Sequence, residues 1–172
     1  MKGIDSLLHS FLYAFKGFGW MIFNERNFRI HLTCVGYMVY FLFRYDFFVL
    51  DKVEYAILII AAALVIGSEM INSGIEKADD SVTRDTIHTI KISKDVAAGA
   101  VLVFAVTAVI IGVIFLWQPE AFRQLFNHFA EKPARLVLLG ISFVISLLFI
   151  FKLNNKLIRK IKKKIQNRKG KN

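Results

Sequence analysis

Between Val96 and Trp117 the chain reads VAAGAVLVFAVTAVIIGVIFLW, 22 residues without a charged side chain. A helix of about 20 apolar residues is the length that crosses the hydrocarbon of a bilayer. A chain containing such a run is read as an integral membrane protein, and other apolar runs agree. Tyr55 to about Gly74 forms a second candidate span. Leu136 to Phe151 is a third, bracketed by Arg135 and Lys152, whose flexible stems can reach the two interfaces. Ile30 to Phe43 is a fourth, continuing into RYDFFVL if Arg44 extends toward the interface. Each crossing consumes most of what lies between its loops, so 172 residues at 56% hydrophobic content leave no room for a separate soluble domain.

Before these runs, Ile4, Leu7, Leu8, Phe11, Leu12, Phe15, Phe18 and Ile22 recur at the spacing of one helix face. Asp5, Ser6, His9, Ser10 and Lys16 fall off that stripe. This segment is expected to lie along the membrane surface, with Gly17 and Gly19 marking a bend or a close approach. Asp5 and His9 also argue against a cleavable leader. The expected fold is all-α: an integral membrane helical bundle with an N-terminal amphipathic surface helix, three core transmembrane helices and a fourth C-terminal transmembrane helix.

Net charge is +10, and ten of the 23 basic residues stand in the last stretch, from Lys152 to Asn172. Their place directly after an apolar run marks a topology anchor for anionic lipid rather than a nucleic-acid surface. Lys and Arg on the side of both termini and of the loop Lys77 to Lys94 number eighteen, against five on the other side. Both termini and that loop are therefore expected to face the cytoplasm. Cys34 is the single cysteine, which excludes an intrachain disulfide.

The second apolar run ends in EMINSGIEKADD, Glu69 to Asp80. On a helix, Glu69, Asn72, Glu76 and Asp80 fall within roughly an 80° arc of one face. An acid placed in the last turns of a span costs up to about 3 kcal/mol, so something must compensate it. Asp79 and Asp85 need no more than a solvated loop. Stacked carboxylates with an amide between them suit a hard divalent cation such as Mg²⁺, which takes one or two carboxylates together with substrate phosphates. The Val96 to Trp117 run is entered through KISKDVAAG, which brings Lys91, Lys94 and Asp95 to the same edge, and NERNFRIH brings Glu25. No GxxxxGK[ST] loop, dinucleotide fingerprint or GxSxG word is present, and His9, His31, His88 and His128 are scattered at no zinc spacing. On residues alone, the intramembrane acids also admit a small ion or proton transporter, although their clustering at one edge rather than at mid-span speaks against it. Ala97, Ala98, Gly99, Ala100, Ala105, Ala108 and Gly112 indicate close helix packing, within one subunit or between several.

The words NERNFRIHL (Asn24 to Leu32), EMINSGIEKADD and KISKDVAAGAVLV (Lys91 to Val103) together resemble the small prokaryotic diacylglycerol kinase family, which includes the undecaprenol kinases. The similarity covers Leu7 to Trp117. It implies a homotrimer with active sites shared between subunits, and transfer of the γ-phosphoryl group of ATP to a lipid hydroxyl with Mg²⁺. It further implies that Glu69 is the general base, that Glu76 and Glu25 hold the metal, and that Asn72 and Asp80 are polar neighbours. Lys94 and Asp95 match a nucleotide-contacting pair, and Tyr13 a nucleotide-contacting tyrosine of the surface helix. Ser6 stands near where some relatives carry arginine, and His88 is one place later than the family's loop histidine, so neither is carried over. FRIHL and KDVAAGAVLV lean toward undecaprenol as acceptor, with diacylglycerol second. The resemblance divides the chain into a kinase core, residues 1–117, and an addition, residues 118–172, comprising an outer loop, an extra helix and a basic tail. That addition is an anchor or a peripheral trimer contact. The inner membrane, with the site on its cytoplasmic side, is the expected location.

Overall fold

The computed structural model describes residues 2–79 and 87–152. These form six helices: α1 (Lys2–Asn24), α2 (Arg26–Arg44), α3 (Lys52–Asp79), α4 (Ile87–Leu116), α5 (Pro119–Ala130) and α6 (Pro133–Lys152). Among the described residues there is no strand, as the apolar runs require. Three of the helices, α3, α4 and α6, are long and apolar enough to cross a membrane on length and composition. α2, expected as the first crossing, has 19 residues, and Arg26, Arg29 and His31 in its opening turns set it apart from those three. Its place comes from packing against α3 and α6.

α3 and α4 form the most extensively packed pair. Ile57, Ile60, Ala61 and Leu64 of one and Phe104, Thr107, Ala108 and Ile111 of the other line a small apolar cavity between them. The face that α3 buries is Leu58, Ala61, Val65, Glu69, Asn72 and Ser73, a single helical stripe that changes from apolar to polar as it approaches the end. A third of the residues in its spanning window are buried, whereas none in the window of the more apolar α4 is fully buried. In a lipid solvent this is the sensible arrangement, because apolar side chains lose nothing by facing hydrocarbon and polar ones must turn inward. Ala97 is buried, while Ala98, Gly99 and Ala100 face away from the chain.

Local chemistry fixes the ends. Asp51 Oδ1 accepts hydrogen bonds from the backbone N–H of Val53 and Glu54, both at 2.8 Å, and Glu54 Oε2 accepts from the Asp51 N–H at 2.8 Å. This reciprocal capping box starts α3. Gln118 ties the two outer loops together: its side-chain amide donates to the Val49 carbonyl at 3.0 Å and accepts from the Val49 N–H at 3.1 Å. The stretch after it, expected as an outer loop, folds as α5, with Pro119 at its first turn and Ala121 and Phe129 buried. Tyr40, Phe41, Tyr45, Phe47, His128 and Phe129 form an aromatic cluster at this end, the composition of a membrane interface.

α6 packs antiparallel on α2. Tyr37 Oη lies 3.1 Å from both Ser142 Oγ and Ser146 Oγ. About two turns nearer the start of α2, Arg29 reaches the Ile150 carbonyl. α1 runs uninterrupted through Gly17 and Gly19, and a Cβ at either would meet nothing within 4 Å, so neither bends the helix nor admits a close neighbour. The break falls at Glu25, which is extended (φ −105°, ψ 116°) between α1 and α2. Leu7, Leu8, Phe11, Leu12 and Phe15 leave the apolar stripe of α1 exposed, as a helix lying on lipid demands.

Candidate active site

The polar half of the α3 stripe and the α1–α2 break meet at one end of the bundle. Glu69 is 3% exposed and Asn72 7%. The Glu69 carboxylate accepts a hydrogen bond from the Asn27 side chain, and the charges of Glu25 and Glu76 both act on it. Asn72 Nδ2 donates to Glu76 Oε1 at 3.3 Å. Ser73 is buried beside them. From the break between α1 and α2, Glu25 meets Lys77 Nζ at 3.9 Å, and that ammonium also lies 5.7 Å from the centre of the Trp20 ring. Carboxylates from two separate elements therefore converge, as the sequence indicated for Glu25, Glu69 and Glu76.

This gathering is electrostatically expensive. Two like charges about 4 Å apart repel by roughly 1 kcal/mol in water and by roughly 4 kcal/mol where water is partly excluded. Lys77, half-exposed and at the limit of ion-pair distance, offsets little of that. The arrangement calls for additional positive charge.

The donor atoms present fit Mg²⁺. Asn72 Oδ1 and Asp79 Oδ2 are buried without a hydrogen-bond partner among the described residues. An orphaned acceptor of this kind asks for a cation or an incoming donor. The oxygens of Glu25, Glu76 and Asn72 are hard ligands of the type Mg²⁺ selects. Among the described residues no three His, Cys, Asp or Glu side chains close into a ready cage. Mg²⁺ does not need one, since it commonly takes one or two carboxylates and completes its shell with water and phosphate.

The other candidates stand at different distances from this cluster. Lys94 is half-buried and Asp95 exposed, both on α4 near the end that packs on α3. Seven residues separate Lys94 from Ile87, about 10 Å of helix, while Glu69 lies about 15 Å inside the end of α3. Tyr13 is exposed, with its ring against His9 and Lys16, and stands about 16 Å along α1 from Asn24. Within one chain it does not reach the glutamates. Asp80 lies outside the described residues. Asn27, Ser73 and Lys77 join the cluster without having been singled out in the sequence. Asn27 was legible as the second asparagine of NERN, on the first turn after the break.

Comparison with known proteins gives a consistent picture. The family model described as prokaryotic diacylglycerol kinase matches residues 12–116. A diacylglycerol kinase of Synechocystis sp. is 37% identical over 115 residues, which are 66% of this chain and 64% of the relative. An undecaprenol kinase of Bacillus subtilis is 32% identical over 113 residues, 64% of this chain and 88% of the relative. The match thus spans a little under two thirds of the Synechocystis protein's length. No solved structure matches the chain.

Proposed function

The chain belongs to the prokaryotic diacylglycerol kinase family, and from that premise we propose that it is a membrane lipid kinase that moves the γ-phosphoryl group of ATP to a lipid hydroxyl. The observation that carries this reading is the buried Glu69 in an acid cluster completed by Glu25 from the break between α1 and α2.

Glu69 sits where a lipid alcohol presents its hydroxyl. As that oxygen bonds to the γ-phosphorus, its proton passes to the Glu69 carboxylate, and the bond between the γ-phosphorus and the bridging β–γ oxygen breaks to release ADP. Asn27, hydrogen-bonded to Glu69, holds the carboxylate in orientation. Glu25 and Glu76 hold the metal, and Asn72 steadies Glu76 while offering its free carbonyl oxygen. Bound Mg²⁺ supplies neutralisation of phosphate charge. Lys94 adds a point charge for phosphate oxygens, and Asp95, Asp80 and Tyr13 are nucleotide contacts. The transfer asks for positioning and charge compensation more than covalent chemistry, and this set provides both.

A homotrimer with shared sites accounts for Tyr13, which a single chain leaves distant from the glutamates, and for Ala98, Gly99 and Ala100, small residues facing out of the chain beside Lys94 and Asp95. The charge asymmetry of the loops supports the cytoplasmic face of the inner membrane as the side of the site.

Of the two acceptors, undecaprenol is favoured by FRIHL and KDVAAGAVLV, with diacylglycerol second. Incubating the purified protein with labelled ATP and an equal mixture of both alcohols tests this choice. Preferential labelling of undecaprenol is expected, and preferential labelling of diacylglycerol reverses the assignment.

A further inference from the structure

We infer that the C-terminal helix α6, which lies outside the family-matched segment, completes the metal-binding corner through Arg29, a positioning residue for Glu25. The inference rests on the lipid-kinase reading of the site.

Arg29 is 3% exposed, and its guanidinium makes three hydrogen bonds to backbone carbonyls. Nε and Nη2 donate to the Ile150 carbonyl at 3.1 and 2.9 Å. Nη1 donates to the Ile22 carbonyl at 3.0 Å. The Ile22 acceptor belongs to the last turn of α1, whose final carbonyls have no partner within their own helix. A helix carries about half a negative elementary charge at its C-terminus, so the end of α1 and the nearby charge of Glu25 both favour the guanidinium here. This explains how an arginine is tolerated in so dry a place. A lysine, with one compact ammonium, cannot reproduce the forked contact with both helices.

The consequence falls on Glu25. The residue is extended, between two helices, and nothing in its own backbone conformation fixes the angle of the corner. Its N–H donates to the Met21 carbonyl at 2.9 Å and its carbonyl accepts from the Arg29 N–H at 3.4 Å. The Arg29 side chain then closes the loop across the corner to Ile22, so that Glu25 is bracketed on both sides. By fastening Ile150 of α6 to the same group, the chain makes the placement of Glu25 depend on a helix more than 120 residues away.

The test compares wild type, Arg29→Met, Arg29→Lys and Tyr37→Phe in lipid nanodiscs. Tyr37→Phe weakens the same α2–α6 contact without touching the corner. One readout is the Mg²⁺ concentration giving half-maximal ATP-dependent lipid phosphorylation. The other is Trp20 emission in a Trp117→Phe background, where Trp20 is the sole tryptophan and reports on the corner without requiring activity. Arg29→Met is expected to raise the Mg²⁺ requirement at least about fivefold and shift Trp20 emission to the red, with Arg29→Lys moving both in the same direction. Tyr37→Phe is expected to leave both at wild-type values. Wild-type Mg²⁺ dependence and emission in both Arg29 variants would overturn the inference, as would an equal Mg²⁺ shift in Tyr37→Phe. Should Arg29→Met fail to fold, Arg29→Lys decides by the same criteria. A wild-type protein that phosphorylates no lipid would instead sink the kinase reading, and Trp20 emission alone would then decide whether the clamp exists.

Discussion

The amide of Asn72 donates to the carboxylate of Glu76 at 3.3 Å while its own carbonyl oxygen is buried with no partner among the described residues. A buried acceptor left unmade costs about 1–3 kcal/mol. A chain under selection for stability alone would place leucine there, so the asparagine is held for what it binds. Asn72→Leu is therefore expected to lower phosphorylation by about two orders of magnitude while leaving the unfolding free energy in detergent within about 1 kcal/mol of wild type or above it. Thermal denaturation beside a kinase assay checks both halves.

Glu69 leads to a second expectation. Neutralising it relieves a buried charge and its repulsion by Glu25 and Glu76. Glu69→Gln should thus be more stable than wild type by about 1 kcal/mol or more, because an uncompensated buried charge is costly. Nucleotide affinity, followed with a fluorescent ATP analogue, should stay within about twofold, since Glu69 faces the acceptor rather than the donor.

Metal removal gives a third. With Glu25 and Glu76 as the carboxylate ligands, chelation by EDTA should abolish transfer, and added Mg²⁺ should restore it. Glu76→Gln and Glu25→Gln should each shift the Mg²⁺ titration to higher concentration by about tenfold or more, as expected when a directly bound group is lost. An unchanged titration in either variant would remove that residue from the metal site.

The hydroxyl bridge of Tyr37 to Ser142 and Ser146 provides a fourth. Hydrogen bonds between membrane helices average about 0.6 kcal/mol and reach about 1.7 kcal/mol. Tyr37→Phe should cost an amount in that range in unfolding experiments while kcat is unchanged, since the bridge lies toward the end of α2 away from Glu25.

Much of this molecule was legible before any coordinates. Runs without charge determine helices in lipid because an open backbone cannot be satisfied there, which is why α3, α4 and α6 were readable. The single-face spacing of Glu69, Asn72 and Glu76 survives folding because it is a property of the α3 helix itself. α5 is less legible because its stretch is short and carries charged and polar residues between its apolar ones. Ala121, Phe122, Leu125 and Phe129 do recur at helical spacing after Pro119, so the signal was there. The glycines of α1 misled for the opposite reason: Gly17 and Gly19 lower helix propensity, but a lipid-facing helix with no neighbour within 4 Å needs no bend there. Arg29 could not have been assigned from the sequence. Its partners are carbonyls, which every residue carries, and one of them belongs to a helix whose docking partner no local pattern announces. Asn27 reaches Glu69 across a break that is likewise a tertiary feature.

Single-turnover transfer of label from γ-labelled ATP to lipid alcohol in nanodiscs, run with wild type and Glu69→Gln at saturating Mg²⁺, bears most directly on the enzyme's chemistry. The account predicts labelled phospholipid from wild type and a loss of about 10²- to 10⁴-fold in Glu69→Gln, the range a positioned general base supplies. Transfer at the wild-type rate by Glu69→Gln, or none by wild type to either alcohol, would contradict it.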